Sequence, residues 1–127
     1  MQLLLNRSIL NKVIILKLTR EFILGTAFEK SWKDLKLTDE DLKRLQEQLL
    51  ENPKIGDVIR GTGRLRKMRF AFENRGKSGS ARVCYVDFVV QEVIYLLAVF
   101  AKNEQENLTP AECNALKKKI DILEKTL

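Results

Sequence analysis

The residues of this sequence best suited to chemistry are lysines and arginines in its middle section. The segment LRKMRF, residues 65–70, has the composition of a strand, in which residues two apart share a face. Lys67 and Arg69 are therefore expected to point together. With Arg82 on a neighbouring strand and Lys102 at the end of the next, they would form a concave basic surface that binds a phosphate group.

Each of these cations also has an ordinary structural explanation. Exposed cations on strands protect sheet edges against aggregation, and a lysine beyond a strand end is often simply solvated. Arg66 is expected to point the other way, together with Met68 and Phe70. Residue type alone leaves both explanations open.

The sequence contains no histidine, which excludes Ser-His-Asp and Cys-His nucleophile systems and histidine metal sites. Its two cysteines, Cys84 and Cys113, are too few for a disulfide framework or a zinc site, and they fit a reducing compartment. We therefore expect no metal and no cofactor. Any chemistry must use lysine, arginine, tyrosine or carboxylates.

Positive charge is concentrated in the middle of the chain. Among 127 residues there are 23 Lys or Arg and 17 Asp or Glu, a net charge of +6. Residues 53–85 contain nine basic and two acidic residues, a net charge of +7, whereas residues 1–52 and 86–127 carry +1 and −2. A localised patch of this kind attracts polyanions, so we expect contact with nucleic acid.

Length and composition favour one small globular domain with a hydrophobic core, since 45% of the residues are hydrophobic. The longest uncharged stretch, residues 93–101, is far shorter than the roughly 20 residues of a membrane-spanning helix. Charges at Arg7, Lys12, Lys17 and Arg20 interrupt the apolar N-terminal run, which disfavours a signal peptide. We expect a cytoplasmic protein with no membrane partner.

Three helices are predicted to support the basic residues. A short helix is expected over 27–35, and a second between the capping residue Thr38 and Pro53. A third begins with the capping box at 109–112 and continues to about Lys125. The apolar faces of the first two helices are predicted from residues three or four apart, namely Phe28, Trp32 and Leu35, then Leu42, Leu45 and Leu49.

The remaining segments have strand composition. Residues 12–24 are predicted to be an N-terminal strand region, and residues 65–72, 82–88 and 93–101 a meander of three antiparallel strands. The order predicts an α+β domain, a small antiparallel sheet with two N-terminal helices and one C-terminal helix. We expect the helices to cover one side of this sheet.

Five segments in a fixed order resemble a known family. They are NPKIGDVIRGTGRLRKMRF at 52–70, GKSGSAR at 76–82, IYLLAVF at 94–100, AKNE at 101–104 and LTPAE at 108–112. Together they resemble the HigB branch of the RelE superfamily, whose members are toxins of type II toxin–antitoxin modules. Each motif alone is weak, but their combination and spacing are specific.

The resemblance implies both a domain division and a function. It runs from about Arg20 to Lys125, so residues 1–19 are expected to be an N-terminal extension and residues 20–127 the RelE/HigB-like toxin domain. It implies a small RelE-like sheet and a ribosome-dependent endoribonuclease that cleaves mRNA in the ribosomal A site. The implied partners are a cognate antitoxin, the ribosome and mRNA.

Carried over residue by residue, the resemblance implies that Lys67, Arg69, Arg82 and Lys102 form the catalytic set. RNA contacts are expected from the other cations of the same section, namely Arg64, Arg66, Arg75 and Lys77.

The sequence departs from the family pattern at three positions. Arg64 replaces the last glycine of the usual GTGG motif, and Ser80 replaces a glycine of the usual GKSGG loop. Phe100 stands where the family commonly has a tyrosine. Some relatives use a C-terminal tyrosine as the base, but no tyrosine follows Tyr95.

The mechanism that fits is attack of a ribose 2′-hydroxyl on the adjacent phosphate, which leaves a 2′,3′-cyclic phosphate and a 5′-hydroxyl. In the absence of histidine the base would be Lys67 or Lys102. Arg69 and Arg82 would stabilise the developing negative charge.

Two other functions are compatible with the sequence. A non-catalytic RNA-binding module would use Phe70, Phe72, Tyr85 and Phe100 to stack on bases, although aromatic residues at this spacing more often belong to a core. A ParE-like gyrase-inhibiting toxin would share the fold, but the LRK, GKSG and AKNE motifs argue against it.

Overall fold

The computed structural model describes residues 20–73, 79–105 and 107–127. Three helices lie in these ranges: α1 (Thr26–Asp34), α2 (Asp39–Glu51) and α3 (Pro110–Thr126). Five strands lie there as well: β1 (Glu21–Leu24), β2 (Asp57–Val58), β3 (Arg66–Ala71), β4 (Ser80–Phe88) and β5 (Val93–Ala101). The predicted extension 1–19 and the predicted RNA contacts Arg75 and Lys77 lie outside the described residues.

Local capping explains why two of the helices begin where the sequence predicts. Thr38 Oγ1 accepts a hydrogen bond from the Asp41 N–H at 3.2 Å, and the Thr38 N–H donates to Asp41 Oδ2 at 2.9 Å. Thr109 and Glu112 make the same reciprocal pair at 3.1 and 2.8 Å at the start of α3. Both capping boxes satisfy N–H groups that would otherwise have no partner.

The strands form one sheet in the order β1-β5-β4-β3-β2. The predicted antiparallel meander is confirmed for β3, β4 and β5, and the short strand β2 adds an antiparallel edge. The sheet is nevertheless mixed rather than wholly antiparallel, because β1 runs parallel to β5. The α+β class is confirmed, whereas strand direction depends on tertiary pairing that the hydrophobic pattern does not encode.

The helices lie on both faces of the sheet, so the expectation that they cover one side is wrong. Residues of α1 and α2 form one core with the nearer sheet face; its largest buried members include Phe28, Trp32, Leu45, Leu49 and Phe70. Residues of α3 close a second core on the opposite face, with Ile120 buried beside Val86, Phe88 and Leu97. A sheet covered on both faces contains consecutive apolar residues in its central strands, as β4 and β5 do.

Candidate active site

Two of the predicted catalytic cations share one face of β3. Met68 and Phe70 are buried against α1 and α2, so Lys67 and Arg69 lie on the face of the sheet that α3 also contacts. Arg82 of β4 lies directly opposite Arg69 in the strand register and therefore on the same face. The predicted shared face is confirmed.

The pairing of Arg69 with Arg82 places like charges opposite each other. Such cross-strand neighbours have Cβ atoms about 5 Å apart, and like charges there destabilise a sheet. The ion pairs in the described part of the chain hold Arg20, Arg44 and Arg64, and neither arginine of this pair takes part in them. An anion bound over this face would remove the repulsion.

A cavity of about 400 Å³ opens on this face beside β3. Its walls come from the turn at 59–61, the start of β3 and the beginning of α3, and include Lys67, Arg60, Asn107 and Cys113. Lys67 is the one predicted catalytic residue in these walls. Arg69, Arg82 and Lys102 lie outside them.

The Lys67 ammonium group has two neighbours in this region. Its Nζ donates a hydrogen bond to Asn107 Oδ1 at 2.6 Å. Opposite Lys67 in the strand register, Cys84 is fully buried, and burial raises the pKa of the Cys84 thiol to about 12, although the Lys67 charge acts in the opposite direction. Cys84 is therefore a neutral thiol and not a nucleophile at physiological pH.

Ser80 contacts two of the predicted catalytic residues, Arg82 and Lys102. It is only 4% exposed, and its hydroxyl accepts a hydrogen bond from Arg82 Nη1 at 3.2 Å. Its carbonyl accepts the backbone N–H of Lys102 at 3.1 Å, which brings the exposed start of the 102–104 turn beside the first residues of β4. The departure from a family glycine thus supplies a partner for Arg82.

The turn before β3 forms one wall of the cavity. Gly61 and Gly63 adopt φ values of +84° and +82°, a left-handed conformation that glycine accepts most easily. The turn is closed by the Ile59 N–H to Leu65 carbonyl bond at 2.8 Å and by Thr62 Oγ1, which donates to the Ile59 carbonyl at 2.6 Å. The turn therefore closes without a third glycine.

Arg64, which replaces that glycine, is directed toward α3. Its Nη2 lies 2.7 Å from Glu124 Oε1, and its guanidinium lies over the Phe88 ring at 5.1 Å from the centroid. Arg64 therefore links the turn to the end of α3 and does not line the cavity.

Arg66 lies on the opposite face, as its position in the strand predicts. Its Nη1 donates to the Gly56 carbonyl at 2.7 Å and to the Lys54 carbonyl at 3.4 Å. The buried Tyr85 hydroxyl accepts the Gly56 N–H at 2.9 Å and donates to the Pro53 carbonyl at 2.8 Å. These bonds attach the segment after α2 to the face of the sheet opposite the basic residues, and they stabilise the strands that carry those residues.

The aromatic residues considered for base stacking belong to the cores. Phe70 and Tyr85 are fully buried, and Phe72 and Phe100 are half-buried against the two clusters. They leave little surface on which a base could stack.

Sequence reasoning missed three polar residues of the cavity, Arg60, Asn107 and Asn114. Arg60 precedes the glycine turn and could have been found from its charge beside Gly61. Asn107 carries no comparable signal, because its contact with Lys67 joins segments 40 residues apart.

Two further findings concern only the described residues. They contain no group of three or more His, Cys, Asp or Glu side chains that could hold a metal ion. None of their helices is long and apolar enough to cross a membrane.

Comparison with known proteins gives a consistent result. A family model described as "RelE toxin of RelE / RelB toxin-antitoxin system" matches residues 22–126. The structure of a double arginine-to-alanine mutant of the E. coli toxin RelE in the free state is similar, with a TM-score of 0.50, 21% identity and coverage of 69% of this chain and 88% of that chain. The same mutant was also solved in complex with an antitoxin RelBc peptide. That structure matches with a TM-score of 0.46 and 18% identity, and the match covers 76% of this chain and 92% of that chain.

Proposed function

We propose that this chain, which belongs to the RelE toxin family of RelE/RelB toxin–antitoxin systems, inhibits translation by cleaving mRNA on the ribosome. Members of the RelE family are mRNA endoribonucleases. Beyond family membership, we propose that the substrate is mRNA bound to the ribosome and that a defined set of residues cleaves it.

The observation that carries the residue assignment is the basic face of β3 and β4, whose cations form no ion pair within the described part of the chain. Arg69 and Arg82 face each other across two strands, and Lys67 lies two residues from Arg69 on the same face. Repulsion between like charges is unfavourable for folding alone, but it is useful where a phosphate must be held. This pattern supports a phosphodiester as the ligand.

The chemistry we propose is a transfer within one phosphodiester. The ribose 2′-oxygen forms a bond to phosphorus, the bond from phosphorus to the 5′-oxygen breaks, and a 2′,3′-cyclic phosphate and a 5′-hydroxyl result. A base takes the proton of the 2′-hydroxyl, and an acid returns one to the 5′-oxygen. Arg69 and Arg82 stabilise the charge on the phosphorane, at about 3 kcal/mol for each well-placed donor.

Lys67 and Lys102 are the candidates for proton transfer. Lys67 lies in the cavity wall, and the backbone of Lys102 is bonded to Ser80 beside Arg82. Lysines are poor bases at neutral pH compared with histidine. Orientation of the substrate by the ribosome would offset this weakness, since orientation can supply roughly 7–11 kcal/mol of a reaction barrier.

The test compares purified wild-type protein on naked mRNA and on ribosomes that are translating the same mRNA. We expect efficient cuts inside codons on translating ribosomes, and weak, salt-sensitive binding with very slow cleavage on naked RNA. Fast cleavage of naked RNA would contradict ribosome dependence. Intact mRNA with DNA damage after induction would indicate a ParE-like toxin, and intact mRNA without DNA damage a non-catalytic binder.

An antitoxin partner follows from the same proposal. The matching family model describes a toxin of a toxin–antitoxin system, and the net charge of +7 over residues 53–85 suits an acidic or amphipathic segment. We expect a small protein encoded next to this gene to suppress toxicity on co-expression. A neighbouring gene product that neither binds nor suppresses would contradict this part of the proposal.

Assignment to the HigB branch is the finest level of the proposal. It is supported by the order and spacing of the GTG-x-LRK, GKSG-x-AR and AKNE motifs. If it is correct, transfer of residues 61–104 into a HigB toxin should preserve ribosome-dependent cleavage in the hybrid. A folded hybrid without cleavage would contradict it.

A further inference from the structure

The loop between β5 and α3 supplies a partner for Lys67 that no sequence motif indicates. Asn107 Oδ1 accepts the hydrogen bond from Lys67 Nζ at 2.6 Å, and both residues line the cavity. An ammonium group can only donate, so the amide of Asn107 must present its oxygen to Lys67. The contact therefore defines the orientation of both side chains.

The partner of Lys67 is neutral, unlike the partners of two arginines that join distant elements. Arg20 is held by Asp87 at 3.0 Å, and Arg64 by Glu124 at 2.7 Å. A carboxylate cancels the charge of the cation it holds, whereas an amide oxygen holds the group and leaves its net charge in place. Lys67 is thus held in position while its charge remains available to a phosphate.

The loop itself is fastened to the first turn of α3. Gln105 Nε2 donates to the Asn107 carbonyl and to Glu112 Oε1, both at 2.8 Å. Glu112 also accepts the Thr109 N–H, and this bond, the largest influence, lowers the pKa of the Glu112 carboxyl below its ordinary value. The carboxylate is therefore charged at neutral pH, and it connects the backbone of Asn107 to a capped helix.

We infer that Asn107 is a positioning residue that holds the Lys67 ammonium group in the cavity through a neutral acceptor, with Gln105 and Glu112 as its support. This inference rests on the proposed function, because it assigns Lys67 to the phosphate site. Asn107 acts through Lys67 and is given no role in proton transfer.

Steady-state kinetics on ribosome-engaged mRNA test the inference, with Asn107→Ala and Asn107→Asp as the variants. Asn107→Ala should lower kcat at least about tenfold with little change in KM, because a misplacement of about 1 Å can cost roughly 100-fold. Asn107→Asp keeps the shape and the acceptor but adds a negative charge, so it should raise KM for the polyanion, most strongly at low salt. Gln91→Ala, an amide in the β4–β5 turn, should leave both constants unchanged.

A measurement that needs no nuclease activity separates the inference from the proposed function. In the NMR spectrum of the full chain, the two Lys67 Hε protons should have distinct shifts while the ammonium group is held, and they should merge in Asn107→Ala but stay distinct in Asn107→Asp. Merged signals in the wild type would overturn the inference whatever the enzyme does. Normal kcat in a folded Asn107→Ala variant, with Lys67→Ala inactive, would overturn it and leave the proposed function standing.

Discussion

The cations on the two faces of strand β3 differ in their partners. On the face that packs on α1 and α2, Arg66 donates to the Gly56 and Lys54 carbonyls and fastens the chain behind the strand. On the other face, Arg69 is exposed and lies opposite a second arginine, Arg82. Within one strand, Arg66 thus supports the fold, whereas Arg69 is positioned to bind a ligand.

The difference shows how a small basic domain can separate stability from activity. Cations with backbone or carboxylate partners contribute to the fold, and their removal should change the free energy of unfolding. Cations that lie opposite another cation, as Arg69 and Arg82 do, contribute little to folding. Their removal should change activity. Substitutions on each face of the strand test this separation.

The largest effect is expected from Lys67→Ala and Arg69→Ala. Each should reduce ribosome-dependent cleavage by at least about 100-fold, because loss of a proton-transfer group, for Lys67, or of a charge-stabilising donor, for Arg69, typically costs that much. The free energy of unfolding should stay within about 0.5 kcal/mol of the wild type, because neither side chain supports the core. Primer extension after induction and urea denaturation measure the two quantities.

The matched control for this pair is Lys43→Ala, which removes an exposed lysine from α2 on the other side of the sheet. It should change neither cleavage nor stability. Full activity in a folded Arg69→Ala variant would break the proposed division between the faces.

Tyr85→Phe should have the largest effect on stability. The hydroxyl bonds the Gly56 N–H and the Pro53 carbonyl in a buried position, so its loss leaves both groups unsatisfied at about 1–3 kcal/mol. Urea denaturation measures the change. Unaltered stability would mean that the 53–56 segment finds other partners.

Stability at alkaline pH should depend on Cys84. Its pKa is raised from 9.0 to about 12 by burial, so above pH 9 the unfolded chain loses this proton while the folded chain keeps it. The free energy of unfolding should therefore be unaffected below that pH and fall by up to about 1.4 kcal/mol per pH unit between the two values.

Denaturation of Cys84→Ala over the same pH range tests this prediction. Burial also raises the pKa of Tyr85, which adds a slope of the same sign at higher pH. The variant should be less stable overall but should lose part of the alkaline slope, whereas Cys113→Ala should retain it. An identical slope in Cys84→Ala would refute the assignment.

A smaller effect is expected from Ser80→Ala. The variant removes the 3.2 Å hydrogen bond that holds Arg82, and a bond of about 1 kcal/mol corresponds to roughly a fivefold loss of cleavage. Ser80→Thr keeps the hydroxyl and should retain more activity. Equal activity in the alanine variant would show that Arg82 needs no such support.

The smallest effect is expected from Arg64→Ala. Its ion pair with Glu124 is half-exposed, so the free energy of unfolding should fall by only about 0.2–1 kcal/mol, and less at high salt. Glu124→Gln should behave similarly. A large loss of cleavage without loss of stability would instead show that Arg64 contacts RNA, as the sequence predicts.

Features of the fold that depend on neighbours along the chain could be predicted from the sequence. The capping residue Thr38 and the capping box at 109–112 predicted two helix starts, because the partners of Thr38 and Thr109 lie three residues away. Alternation along β3 separated Lys67 and Arg69 from Arg66, because side chains on a strand alternate between faces. These relations are local, so they can be calculated from spacing.

Features that depend on contacts between distant segments could not be predicted in this way. The parallel direction of β1, the position of α3 on the opposite face and the bond between Lys67 and Asn107 all join residues far apart in sequence. Residue spacing does not define such contacts, because they depend on how complete elements pack. The sequence therefore predicts which cations share a face of the sheet. The packing of α3 determines that Lys67 lines a cavity and has a neutral hydrogen-bond partner.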